Sequence, residues 1–366
     1  FPVTALPMKR HPDFARDLMS RGAELAVHAY THVDLTTLSY EEQARNIELA
    51  VHTFRGHGIP FTGFRAPYLH WNEETMRVVE TYQFLYSSNQ AVFWDVLDVE
   101  ALSPREKEGL DRGLEFYKPW RAEEVVVLPF KKRGFVEIPV SLPDDEILLD
   151  RMYIHDAEAL GKVWARILDR SHERGELFTL QLHPERIDFF ASALGGVLAD
   201  CRNRREGVWI ATLGEIADWW NRKHDNSATL VDMGDKVRVT VKVCEGTTVF
   251  IRENGSERRV EPGEIDMPGG KRTCVGVSPG SDRRAVQLLR DKGYIIEVGA
   301  DPDDYVIHLG KLGDGDVLDS LAELDGFPGP LVRFGTWPHG NRSALAVTGD
   351  IDAVTIWDFL NRLRGA

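Results

Sequence analysis

From residue 1 to about 222 the chain alternates short apolar runs with stretches of helical period, and no other feature restricts its fold more. Runs at 1–6, 24–28, 63–65, 83–86, 136–141, 177–182 and 208–212 predict strands. Between them 12–21, 39–56, 156–174, 185–202 and 213–222 predict helices. The second helix opens with Ser39 and Glu42 spaced as a capping box, then sets Ala44, Ile47, Val51 and Phe54 on one face. Alternation of this kind builds a parallel sheet or a β/α barrel. Such folds carry their chemistry in the loops at the carboxyl ends of the strands.

Past about residue 226 the pattern changes. Residues 236–243 alternate polar and apolar without a break, the period of a half-buried strand, and Asn254-Gly255 between two extended runs signals a hairpin. Residues 226–300 are therefore expected to form a small, mainly antiparallel β-rich module. The acidic, Gly-rich stretch 301–334 reads as a linker with one short helix. Then the first pattern returns, with an apolar strand at 343–348 and a helix at 354–363. The expected division is an α/β unit over 1–225 plus 335–366, interrupted by the module and linker.

Composition narrows the function. With 44 basic against 58 acidic residues the net charge is −14, the wrong balance for a nucleic-acid backbone binder. No stretch approaches the roughly 18–20 apolar residues that a membrane span needs. Cys201, Cys244 and Cys274 are odd in number and widely spaced, so neither a disulfide framework nor a cysteine zinc site is indicated. A cytoplasmic, reducing setting fits best, although the chain starts at Phe1 without a methionine, so export stays open.

Four clusters stand at predicted strand ends. His28 and His32 lie four apart where a strand runs out, a spacing that can bring two imidazoles to one metal ion. Taken alone the pair is as readily explained by surface or core histidines. Arg65-Ala66-Pro67-Tyr68 places a cation, a rigid proline and an aromatic residue at a second strand end. His183 follows the apolar run 177–182, and Asp350 and Asp352 follow the strand at 343–348. Singly these read as a turn, a satisfied histidine and a helix N-cap. Together they supply metal ligands, a base, an acid and an orienting cation.

As a set the clusters resemble the polysaccharide deacetylases, carbohydrate esterase family 4, which share the NodB-homology domain. There a strand ends Thr-Phe-Asp-Asp, a His-(Ser/Thr)-x-x-His motif follows, then Arg-x-Pro-Tyr, and a later strand ends Leu-x-x-His. This chain has His28-Ala29-Tyr30-Thr31-His32, Arg65-Ala66-Pro67-Tyr68 and Leu180-Gln181-Leu182-His183. The likeness covers about 1–222 and 335–366 and implies a distorted (β/α) barrel with the β-rich domain inserted. Two departures stand out. The aspartate strand lies at the end of the chain instead of before Phe1, which implies circular permutation. The carboxylates are spaced Asp350-Ile351-Asp352, resembling a branch with Asp-Val-Asp-Ala, and Ala29 replaces the usual hydroxyl residue.

The resemblance implies a metal-dependent hydrolase that removes an N-acetyl group from a carbohydrate. Asp352, His28 and His32 are the implied ligands of a divalent ion; zinc suits this mixed donor set, with cobalt, nickel or iron as alternatives. Asp350 is the implied base, Arg65 the cation that keeps it ionised and oriented, and His183 the acid that protonates the leaving amine. Tyr68 and Pro67 form the implied oxyanion turn. Trp94 and Trp71 either stack on a sugar or pack in the core, while Trp219 and Trp220 read as structural. Asp144, Asp145 and Glu146 read as a helix start. The family aspartate that tunes the acid is not located. Other readings are an amidohydrolase on a non-sugar amide or ureide, and an inactive carbohydrate-binding scaffold. The expected partner is a carbohydrate or small amide, with no nucleic acid and no membrane span; self-association stays open.

Overall fold

The computed structural model describes residues 1–363, so 364–366 of the expected 335–366 segment lie outside the described residues. Eleven strands precede residue 226: β1 Pro2–Val3, β2 Ala26–Val27, β3 Gly63–Phe64, β4 Tyr86–Ser87, β5 Ala91–Phe93, β6 Trp120–Arg121, β7 Phe130–Lys132, β8 Phe135–Glu137, β9 Val140–Leu142, β10 Leu177–Leu182 and β11 Val208–Ile210. One sheet has the order β1-β2-β3-β4-β8-β7 and is parallel except for the β7–β8 pair. Two of its strands run on into a second sheet, β4 leading to β5 and β8 to β9, with β5 and β9 again paired in parallel.

Helices follow the strands, as the alternation requires. Helix Tyr40–Gly56 closes the predicted capping box and buries Ile47, Ala50, Val51 and Phe54. The first strand is shorter than expected. Its run stops at Val3 because the N–H groups of Ala5 and Leu6 turn to the carbonyls of Ala29 and Tyr30, and Ala5–Arg10 becomes helical. A helix at Pro104–Tyr117, unforeseen in the sequence, is announced by a second capping box between Ser103 and Glu106.

The interruption is more ordered and less antiparallel than the sequence suggests. Strands β12 Ser227–Asp232, β13 Lys236–Lys242 and β16 Glu264–Pro268 form one antiparallel sheet; Val237, Val239 and Val241 face inward, as the alternation predicts. Strands β14 Val249–Glu253 and β15 Ser256–Val260 make the Asn254-Gly255 hairpin, with both turn residues at positive φ. However, β17 Arg272–Val277, β18 Ile296–Val298 and β19 Tyr305–His308 are parallel. Helix Arg283–Asp291 supplies the crossover that parallel pairing needs.

The linker expectation for 301–334 fails for the same region. It holds β19, helix Val317–Gly326 and β20 Leu331–Phe334, the last paired with β14. Its acidic surface hides Tyr305, Ile307, Leu324, Leu331 and Val332, all buried. The inserted region shares a core with the first sheet through Trp219, Trp220 and Trp337, and Trp219 donates to the Thr336 carbonyl at 3.0 Å, in keeping with the structural reading of that pair.

The last strand, β21 Ser343–Gly349, does not extend the inserted region. It lies between β10 and β11 in the second sheet, whose order is β11-β21-β10-β9-β5-β6, in parallel register with both neighbours. Beyond its end Ile351 bridges to Val3 of β1, with Thr4 N–H to the Ile351 carbonyl at 3.0 Å and Ile351 N–H to the Pro2 carbonyl at 2.8 Å. Residues 2–4 and Ile351 thus share one sheet edge. The fold is mixed α/β.

Candidate metal centre and acid–base site

Parallel register brings the carboxyl ends of neighbouring strands to one rim, so residues just past β2, β3, β9, β10 and β21 become neighbours. Asp350 and Asp352 flank Ile351 in extended chain, and residues two apart point to the same side. Ile351 packs into the core while both carboxylates turn into the site. Gly349 makes the approach tight: a Cβ there would stand 2.8 Å from the Phe1 ring.

The loop from His28 to His32 is held by Asn46, whose side-chain oxygen accepts the Tyr30 N–H at 2.7 Å and whose amide donates to Thr31 Oγ1 at 3.1 Å. Ala29 has a φ of 58° and no side-chain bond to offer, so Thr31 and Asn46 carry the ordering. His32 Nε2 is 3.2 Å from Asp352 Oδ2, and His28 Nε2 is 3.4 Å from Asp352 Oδ1 and 3.9 Å from Asp350 Oδ2. One donor atom from each of His28, His32 and Asp352 falls within 4.8 Å of the others.

This geometry fits a cation. His28 Nδ1 lies 2.8 Å from the Arg65 carbonyl, which can only accept, so Nδ1 carries the proton. The buried Nε2 makes no hydrogen bond and faces the Asp352 and Asp350 carboxylates. A cation between them would suit this set, and a ligating histidine fixed through its other nitrogen is the usual arrangement at metal sites.

Arg65 is 1 % exposed and spends four donors on fixed acceptors. Nη1 donates to Asp350 Oδ1 at 2.8 Å and Thr348 Oγ1 at 2.9 Å, Nε to the Ser88 carbonyl at 3.0 Å, and Nη2 to Ser88 Oγ at 2.8 Å. The Asp350 carboxylate is thereby paired on one oxygen, with the other turned toward His28.

His183 stands one residue past β10, and its partner is Asp145. One buried carboxylate takes both the His183 backbone N–H, at 2.7 Å, and ring Nδ1, at 2.8 Å. Burial opposes charge on this ring, but the hydrogen bond and charge of Asp145, aided by Asp350, push it up to about 10. Expected only as part of a helix start, Asp145 is the residue that sequence reasoning missed. Its neighbour Asp144 does cap, accepting the Ile147 N–H at 3.0 Å; burial and the nearby Asp145 and Glu146 push Asp144 up to about 8. The signal available in sequence was position: β9 runs beside β10, so a carboxylate just past one strand end faces a histidine just past the other.

Pro67 opens a short turn in which Tyr68 has a φ of 61°, and the Tyr68 ring meets His32 edge-on at 4.4 Å. Trp94 does not join the site. It is 1 % exposed, and its indole N–H donates to Ser141 Oγ at 3.2 Å, so its expected place in substrate binding gives way to core packing. Trp71 packs under Lys132, whose ammonium lies 3.3 Å from the ring centre. All three cysteines are free thiols, and among the described residues no helix is long and apolar enough to cross a membrane.

No curated protein matches the chain. Among solved structures, one described as a polysaccharide deacetylase from Mycobacterium smegmatis is 20% identical, with 60% of this chain and 70% of that one covered and a TM-score of 0.45. Another so described, from Pseudomonas aeruginosa PAO1, is 17% identical over 60% and 67% of the two chains, with a TM-score of 0.46. Puue allantoinase is 16% identical over 60% and 66%, also at 0.46. The family model for polysaccharide deacetylase matches residues 1–87. The resemblance to polysaccharide deacetylases is thus shown over residues 1–87, the stretch that holds His28, His32, Arg65 and Tyr68.

Proposed function

We propose that the protein is a metal-dependent hydrolase that breaks the amide C–N bond of an N-acetyl group on a carbohydrate, releasing acetate and the free amine. The observation that carries this reading is the meeting of Asp350 and Asp352 with His28 and His32 across more than three hundred residues of chain, at distances of 3.2 to 3.9 Å. His28, His32 and Asp352 would hold the ion, with zinc the best match to two imidazoles and a carboxylate. When bound, such an ion supplies Lewis-acid polarisation and a more acidic water.

The chain's own groups perform the proton transfers. Asp350 accepts the proton of the attacking water through the oxygen that Arg65 leaves exposed to the site. Arg65 favours the carboxylate form and fixes its plane. The Tyr68 backbone N–H, in the turn set by Pro67, donates to the developing oxyanion. His183, kept protonated by Asp145, gives its proton to the departing amine nitrogen, so that a neutral amine leaves. Trp94 has no part in this scheme.

We further infer a closed, circularly permuted barrel over 1–225 plus 335–366, with 226–334 inserted. Supporting it, the Ile351–Val3 bridge links the two sheets on one side, and the β4–β5 and β8–β9 continuations link them on the other. The experiment for the main reading is metal analysis of the purified protein together with acetate release from a panel of N-acetylated oligosaccharides and small amides. About one equivalent of metal with acetate release supports it. Stoichiometric metal without release from any sugar, but with hydrolysis of a small amide, would move the substrate class. No release from either would refute hydrolysis.

A further inference from the structure

Glu137 ends β8 inside the molecule, 1 % exposed, and no step above uses it. Its carboxylate accepts from Ser87 Oγ, from the Asn89 N–H at 2.7 Å and from the Gln90 N–H at 2.8 Å. The next residues close on the same segment, Ile138 N–H bonding the Ser87 carbonyl and Val140 N–H the Gln90 carbonyl. The link between β4 and β5 is thus clamped on both its side-chain and backbone groups.

That link is what holds Arg65. Ser88 provides two of the four acceptors of the guanidinium, and Asn89 Oδ1 accepts the Ala66 N–H at 2.6 Å. Arg65 then grips Asp350, its carbonyl orients His28, and Ala66 leads into the Pro67–Tyr68 turn. Ser88, Asn89, Arg65, Ala66, His28 and Asp350 are all buried, so a displacement at 88–89 has no solvent to absorb it and passes to the guanidinium.

We propose that Glu137 is a positioning residue: it sets the Ser88–Asn89 link so that Arg65 holds Asp350 in the orientation proton transfer needs. Only the kinetic arm of the test rests on the hydrolase reading. Glu137→Gln keeps the shape of the side chain and lets its amide donate to the Ser87 Oγ, but removes the charge that strengthens the Asn89 and Gln90 N–H bonds.

The test compares full-length metal-loaded wild type, Glu137→Gln, Arg65→Ala and the double variant. Glu137→Gln is expected to lower kcat by about tenfold to a hundredfold, as loss of a supporting contact does, with KM and metal content unchanged. In the Arg65→Ala background the same substitution should cost less than about threefold, because its route of action is gone. Equal losses in both backgrounds would overturn the proposal. Hydrogen exchange of the Arg65 Nε–H, followed by NMR, reads the position without activity: it should quicken at least about tenfold in Glu137→Gln, and an unchanged rate would overturn the proposal too. Should Glu137→Gln not fold, Ser87→Ala removes one donor to Glu137 and touches nothing on Arg65; faster exchange supports the clamp and an unchanged rate refutes it. If wild type hydrolyses nothing, the functional reading fails while the exchange measurement still decides this one.

Discussion

Replacing Asp145 by Asn should lower the pH at which the His183 ring gives up its charge, from about 10 to below about 8. The ring sits at about 10 against an ordinary 6.5, a net preference for the protonated form. Burial works the other way, so the favourable interactions exceed that net preference. Asp145 provides the first two of them, a hydrogen bond and a charge, and a single charge-assisted bond is worth about 1.5–3 kcal/mol. Its loss should therefore lower His183 by at least about 2 units, with burial then free to carry it further. The assay is a titration of the 15N-labelled histidine ring in metal-free protein, where the charges facing it are Asp145, Asp350 and Arg186. In the variant the titration should appear below about pH 8. Stability follows the same sign. A folded-state value above the unfolded one stabilises fully below about pH 6.5 and loses that contribution as pH climbs through about 10. Wild type should lose melting temperature over that window more steeply than Asp145→Asn. Titration of His183 within about half a unit of wild type in the variant would refute the account of how this ring keeps its proton.

The remaining predictions concern separate parts of the site. His28→Ala should abolish retention of the metal, measured by elemental analysis after gel filtration, whereas Asp350→Asn should retain it and lose about 10²–10⁴-fold in kcat. Trp94→Phe should lower stability by about 0.5–1.5 kcal/mol through loss of the indole bond to Ser141, whose Oγ still accepts the Thr179 N–H at 3.3 Å, and leave KM unchanged; a rise in KM would return Trp94 to the substrate site. Asp144→Asn should raise the melting temperature. The pKa of Asp144 is lifted by burial to about 8, so ionisation costs the folded state more than the unfolded one, and the gain should grow from about pH 4 to about pH 8 and then level off. A gain that did not depend on pH would show that charge is not its origin.

Much of the site was legible in sequence because its residues end strands, and strand ends are marked by apolar runs that stop. His28, Arg65, His183 and Asp350 each follow such a run, and parallel pairing places all of them on one rim. Chain order hides none of this: β21 finds its place between β10 and β11 through register, whatever its position in the sequence. Asp145 was hidden because adjacent aspartates after a proline satisfy the pattern of a helix start, and one of the two indeed serves it. What separates Asp144 from Asp145 is the direction each side chain takes, a property of the turn and not of the residue type.

The buried polar interior was hidden for a related reason. Ser87, Ser88, Asn89 and Glu137 read as a loop and a strand tip, where polar residues are ordinary. Inside the fold each is fully covered, and the large majority of buried polar groups find a partner. Here the partners form one connected path from Glu137 through the 88–89 link to Arg65 and on to Asp350. A path of that kind resists piecemeal change, since removing any one member leaves its neighbours unsatisfied in a place water does not reach. The same covalent order that scatters these residues over more than 260 positions therefore says nothing of their dependence on one another, and the perturbation of a single distant carboxylate is the measurement that exposes it.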